Sequence, residues 1–144
     1  MTLPQIMVPT TTPIVSFTFD DVPDTALSAG AAILESCDAR GTFYISGGLT
    51  GQREADRTLI SAEGCAELLQ RGHELGCHTF AHPNLRHQYG DALERDIASN
   101  QAFLAGLAGG RRPTNFAYPY NAGSFRARAL MARTFRSARG GLNG

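Results

Sequence analysis

Five short strand-like runs, the first of them wholly β-branched, aromatic or hydroxylated, alternate with stretches of helical period and constrain this chain more than anything else in it. The runs are residues 14–19, 42–46, 73–78, 114–118 and 135–139. Between the first two, Asp24 offers an N-cap and Leu27, Ala31, Leu34 and Cys37 follow at helical spacing up to Gly41. Ser61 opens a second helix carrying Cys65, Leu68 and Leu69, with Gly72 as its stop. A third, from Asp91, sets Leu93, Ile97, Asn100, Leu104 and Leu107 on one face and ends at Gly109-Gly110. A fourth runs from Ser124 through Met131. Strand–helix alternation of this kind predicts an α/β fold, a parallel sheet joined by crossover helices.

The polar residues then fall into place. His78 and His82 follow the third run, the consecutive carboxylates Asp20 and Asp21 follow the first, and Pro119-Tyr120 follow the fourth. All stand at the C-terminal ends of strands, the one edge where parallel α/β folds place their sites. Pro83 disfavours a continuing helix through His78-Thr79-Phe80-Ala81-His82. The strand is therefore expected to end in a tight turn that points both rings into one space. Neutral imidazoles suit a divalent metal. The pair needs a third ligand, and Asp20 or Asp21 can supply it.

Bulk properties exclude several alternatives. At 144 residues the chain is one domain, expected as a loose lead-in over 1–13 and an α/β domain over 14–144. Its formal charge is zero, so no field draws it to nucleic acid or anionic lipid. Seven arginines (111, 112, 126, 128, 133, 136 and 139) lie late in the chain and read as a solvated face. Cys37, Cys65 and Cys77 lack a C-x-x-C spacing and are expected in the core. No run reaches the apolar length of a membrane span, and residues 1–12 lack the pattern of a signal peptide. The expected location is cytoplasmic. No oligomeric state follows.

Three ordered motifs carry a resemblance to a known family: Thr18-Phe19-Asp20-Asp21, His78-Thr79-x-x-His82-Pro83 and Phe116-Ala117-Tyr118-Pro119-Tyr120. With 41–47 and 72–78 between them, they resemble the polysaccharide deacetylases, carbohydrate esterases with a nodulation-type chitooligosaccharide deacetylase domain. The similarity covers about residues 14–142. It implies a parallel, distorted (β/α) barrel, of which about five β/α units are present here, and thus a truncated domain. It also implies a divalent metal, usually zinc (Zn2+), held by Asp21, His78 and His82, with Asp20 as general base. The Tyr120 N–H would bind the oxyanion, and Pro119 and Tyr120 would lie against the substrate, an acetylated oligo- or polysaccharide. The implied reaction is hydrolysis of an N- or O-acetyl group, or of a related C–N amide bond.

The residues depart from that family in places. Ala117 stands where members commonly carry an arginine that orients the base, and Asn121 where a glycine often follows the tyrosine. There is no tryptophan and no histidine after His87 to act as general acid. His73 is expected to face inward or to be hydrogen-bonded near the site, and His87 to be an exposed loop residue. Two other readings remain open: a metal- and sugar-binding remnant without full catalysis, and a non-haem iron enzyme, whose triad is also two histidines and a carboxylate.

Overall fold

The computed structural model describes residues 11–140. Residues 1–10 of the expected lead-in, and 141–144 of the expected domain, lie outside that range. Five strands, β1 (Phe17–Phe19), β2 (Gly41–Ile45), β3 (Glu74–Cys77), β4 (Asn115–Ala117) and β5 (Ser137–Arg139), form one sheet in the order β1-β2-β3-β4-β5. Every pairing is parallel. Right-handed crossovers joining neighbours in sequential order keep all helices on one face, which is how a (β/α) barrel wall is wound. The sheet is a curled half-barrel.

A π-helical stretch, Ala26–Ala31, runs into α1 (Ala32–Ser36); α2 (Ala62–Gln70), α3 (Asp91–Leu107) and α4 (Phe125–Thr134) follow. Ser61 and Ser124 cap α2 and α4, each hydroxyl accepting from the backbone N–H three residues on. Strand alternation sends Phe43, Ile45, Leu75, Cys77 and Phe116 outward into a core shared with Cys65, Leu68, Leu93, Ile97, Leu104 and Met131 of the helices. The opposite, concave face is polar. There Thr42 donates to Glu74 at 2.7 Å, Asn115 donates to Glu74 at 2.5 Å and Ser137 donates to Asn115 at 2.7 Å, a hydrogen-bonded row across four strands.

Five expectations need correction. Asp24 does not cap the first helix: it lies within the helical turns ahead of Ala26–Ala31, and no side-chain cap bond opens that segment. The first strand begins at Phe17 rather than residue 14, because its only partner starts at Gly41, opposite Phe17, leaving Ile14 and Val15 73% exposed. Cys37 is exposed, not core. The wide π turns upstream shift the buried face to Ala26, Ala31 and Leu34, and Cys37 falls one residue past the helix end. His73 is buried, but at the opposite end of β3 from the strand termini singled out above. Its Nδ1 accepts from the Gly41 N–H at 3.1 Å, and its Nε2 meets Glu35 at 3.0 Å. Finally, six of the seven arginines are exposed, but Arg139 turns inward onto the concave face.

The Glu35 cluster makes a prediction. Hydrogen bonds from Arg71 and then His73 lower the Glu35 carboxyl from its ordinary 4.5 to about 2. A carboxyl lowered by folding contributes stability that is complete above its unfolded pKa and fades as the pH falls through its folded one. The wild type should therefore exceed Glu35→Gln in urea unfolding midpoint above pH 4.5 and lose that advantage as the pH nears 2. An advantage that persisted unchanged to pH 2 would assign it to packing instead.

Candidate metal centre at the strand ends

The backbone leaves its regular path where the strands end. Asp21, Thr79, His82, Tyr120 and Asn121 all have φ between 50° and 67° without being glycine. Each such residue costs about 1–3 kcal/mol, and they persist only where surrounding contacts over-determine them. Here the contacts are visible. The Asp96 carboxylate of α3 accepts from the Phe80 N–H at 2.7 Å and the Ala81 N–H at 3.0 Å, holding the loop between the two histidines. Ser46 donates to the His78 carbonyl at 2.8 Å, and the Gly48 N–H to the Phe80 carbonyl at 2.9 Å. Below them buried Asn100 accepts from the Gly47 N–H at 2.8 Å and donates to the Ile45 carbonyl at 2.8 Å and Cys77 Sγ at 3.1 Å. That amide ties the ends of β2 and β3 together.

These supports bring three ligand atoms to one point. Asp21 Oδ1 lies 2.9 Å from His82 Nε2 and 3.4 Å from His78 Nε2, and the two Nε2 atoms are 3.2 Å apart. Zinc–nitrogen and zinc–oxygen bonds of about 2.0–2.1 Å would place tetrahedral ligand atoms about 3.3 Å from one another. The three separations bracket that value, so the residues fit one small divalent ion. The chemistry of the donors agrees. His78 Nδ1 sits 2.8 Å from the Ala117 carbonyl. A carbonyl only accepts, so Nδ1 carries a proton, which makes Nε2 the nitrogen whose lone pair a bound ion would take.

The electrostatics favour the same ligand forms. Hydrogen bonding with His78 lowers the Asp21 pKa, against burial and with help from the charges of His82, His78 and Arg57. Burial, then the charge of His78, lowers the pKa of His82, opposed by Asp21 and Asp20. Both shifts keep a carboxylate and a neutral imidazole available near neutrality. The Cys77 thiol, pushed up to about 11 chiefly by burial, stays protonated and lies on the core side.

Asp20 follows β1 directly, and its charge is felt at His82. It pairs with Arg139. Tyr120 is 65% exposed and sets its ring 4.7 Å from that of His82. Pro119 is buried under the same turn. A cavity of about 160 Å³ opens beside the triad, its lining including Asp21, Ile45, Leu49, Ile60, His82 and Tyr120. Arg57 reaches over it, 3.9 Å from Asp21 and 2.5 Å from Glu54.

Sequence reasoning passed over Asp96, Asn100 and Arg139. Asn100 at a buried position of a helix was a usable signal, since a buried amide needs partners. Asp96 gave none: a charge on an amphipathic helix reads as solvated. Removing it should matter nonetheless. Asp96→Ala is expected to leave the fold intact and to weaken metal binding by about 10–100-fold, the usual effect of losing a group that orients a ligand. Titration against a chelating indicator measures this, and unchanged affinity would show that the loop holds itself.

The comparisons agree with one another. The family model described as polysaccharide deacetylase matches residues 7–134. A chitooligosaccharide deacetylase of Azorhizobium caulinodans is 33% identical over 108 residues, covering 74% of this chain and 48% of that protein. The chain thus spans about half the length of that relative. Among solved structures, the Streptococcus pyogenes deacetylase PplD in complex with acetate superimposes with a TM-score of 0.76 at 24% identity, over 88% of this chain and 54% of that one. A CE4 family pseudoenzyme from Bacillus anthracis gives 0.73 at 15% identity, over 89% and 43%. At these identities the two structures establish a shared fold and nothing further.

Proposed function

Because the chain belongs to the polysaccharide deacetylase family, we propose that its described strands form the metal-binding part of a hydrolase. The reaction is removal of acetyl groups from an N- or O-acetylated carbohydrate. The observation that carries this reading is the meeting of Asp21, His78 and His82 at separations suited to one ion. Zinc fits a set of one carboxylate and two imidazoles with a position left open. When bound, it supplies Lewis acidity and an acidified water.

The chain's own residues do the rest. Asp20, adjacent to the ligand Asp21 but not needed as one, takes the proton of the attacking water. The Tyr120 N–H donates to the acyl oxygen as charge develops there. Pro119 fixes the turn that presents Tyr120. The apolar wall of Ile45, Leu49 and Ile60 receives the acyl methyl. The 14–144 span is proposed as the catalytic domain. A parallel sheet with helices on one face stands against the iron-oxygenase alternative, whose usual scaffold is an antiparallel barrel.

The test is acetate release from an acetylated chitooligosaccharide by the zinc-loaded chain, with and without a chelator. Release that stops on chelation and returns with zinc is expected; chelator-insensitive release would overturn the mechanism. One observation favours a second reading, a metal- and sugar-binding remnant. Of the two histidines outside the triad, His73 is held by Gly41 and Glu35 at the far end of β3, and so cannot protonate the leaving group. Zinc and oligosaccharide binding with no acetate above the Asp20→Ala background would establish that alternative.

A further inference from the structure

Asp20 and Arg139 are 119 residues apart and come from the two edge strands of the sheet. In a flat sheet four strand spacings would part β1 from β5 by about 19 Å, further than an aspartate and an arginine can bridge together. The curl brings the edges face to face, and Arg139 Nη2 donates directly to Asp20 Oδ1 across the mouth. The concave face is cleared for this crossing. Ala117, the register partner of Arg139 on β4, offers only a methyl group. Gly76, the register partner of Tyr44, offers nothing, and a Cβ there would stand 2.4 Å from the Tyr44 ring. Tyr44 therefore lies down over β3, and the Arg139 guanidinium rests 5.1 Å from its ring centroid. The Nε–H of Arg139 is buried without a hydrogen-bond partner. A buried orphan donor is rare and needs a compensating purpose.

We propose that Arg139 is the positioning residue for Asp20, holding its carboxylate toward the metal centre from the opposite edge of the sheet. It fills from β5 the part that the arginine expected at position 117 would have filled from β4. The small Ala117 is what makes room for it. The assignment rests on Asp20 being the general base, as proposed above. Arg139 does not touch the reacting atoms; it acts through Asp20, with Tyr44 and Gly76 setting its height.

The test combines turnover with a measurement that needs neither metal nor substrate. In the metal-free protein, Asp20→Asn, Arg139→Ala and the double variant form an unfolding cycle. The double variant should shift the urea midpoint by less than the sum of the singles; additive shifts would overturn the inference whatever the activity. On the zinc-loaded protein, Arg139→Ala should lower kcat by roughly 100-fold, the scale of a misplaced catalytic group, with KM and zinc content unchanged. Arg139→Lys should recover part of this, since a point charge holds a carboxylate less firmly than a planar fork. Ala117→Arg added to Arg139→Ala should restore more. A folded Arg139→Ala with wild-type kcat would reduce the pair to a structural tie and overturn the proposal. A wild-type chain without turnover would sink the deacetylase reading instead, leaving the unfolding cycle to decide whether Arg139 holds Asp20.

Discussion

Asp21→Ala, His78→Ala and His82→Ala should each lose stoichiometric zinc and acetate release together. The expected fall in affinity exceeds the ~10–100-fold that loss of an outer partner costs, because each variant removes one of the three proposed ligands themselves. The three will not be equal in stability. Asp21 is about 39% exposed at its side chain, so its removal deletes a charge without opening the core. His78 is 2% exposed and gives its Nδ1–H to the Ala117 carbonyl. Truncating it strands that carbonyl, at about 1–3 kcal/mol, and leaves a hole beneath the site. His78→Gln retains bulk and a donor, and is the fairer test of ligation. Metal analysis beside an unfolding curve separates the outcomes: Asp21→Ala that unfolds the domain would make the ion structural, and Asp21→Ala that keeps full zinc would remove Asp21 from the ligand set.

Asp20→Asn has the second large effect. The amide keeps the shape of the side chain but cannot take a proton, so turnover should fall by about 10²–10⁴-fold while zinc stays bound. The proposed split of roles between Asp20 and Asp21 has a geometric basis. The left-handed backbone at Asp21 (φ 50°) swings its carboxylate onto His78 and His82, while Asp20 remains on the concave face against Arg139. Loss of zinc from Asp20→Asn would show that the division is wrong and that both carboxylates ligate. Retained turnover would remove Asp20 from the mechanism altogether.

The curl of the sheet matters to the proposed chemistry. The proposed ligands arrive from the ends of β1 and β3, the carbonyl bonded to His78 Nδ1 from β4, and the arginine on Asp20 from β5. No two neighbouring strands contain the site. Its parts are set by packing of the outer face on the helices, where Phe43, Ile45, Cys77 and Phe116 leave no space for the strands to slide.

Much of this was written in the chain. Strand–helix alternation dictated a parallel sheet, because crossovers of that length return a strand beside its predecessor in the same direction. Placing Asp20, Asp21, His78, His82 and Tyr120 after strands put them at one edge, because parallel strands share their C-terminal ends. Local caps at Ser61 and Ser124 were equally legible, being decided within four residues. Spacing alone left open which of two adjacent aspartates meets the histidines, and only the family resemblance pointed to Asp21, since the choice depends on a left-handed turn held by distant contacts. Nor could it find Asp96 under the histidine loop, or the exposure of Cys37, which follows from π turns that alter the helical period. It hid Arg139 most completely, among six arginines that do face solvent. A residue's neighbours along the chain fix its local geometry, but a partner 119 positions away is chosen only by how far the sheet curls.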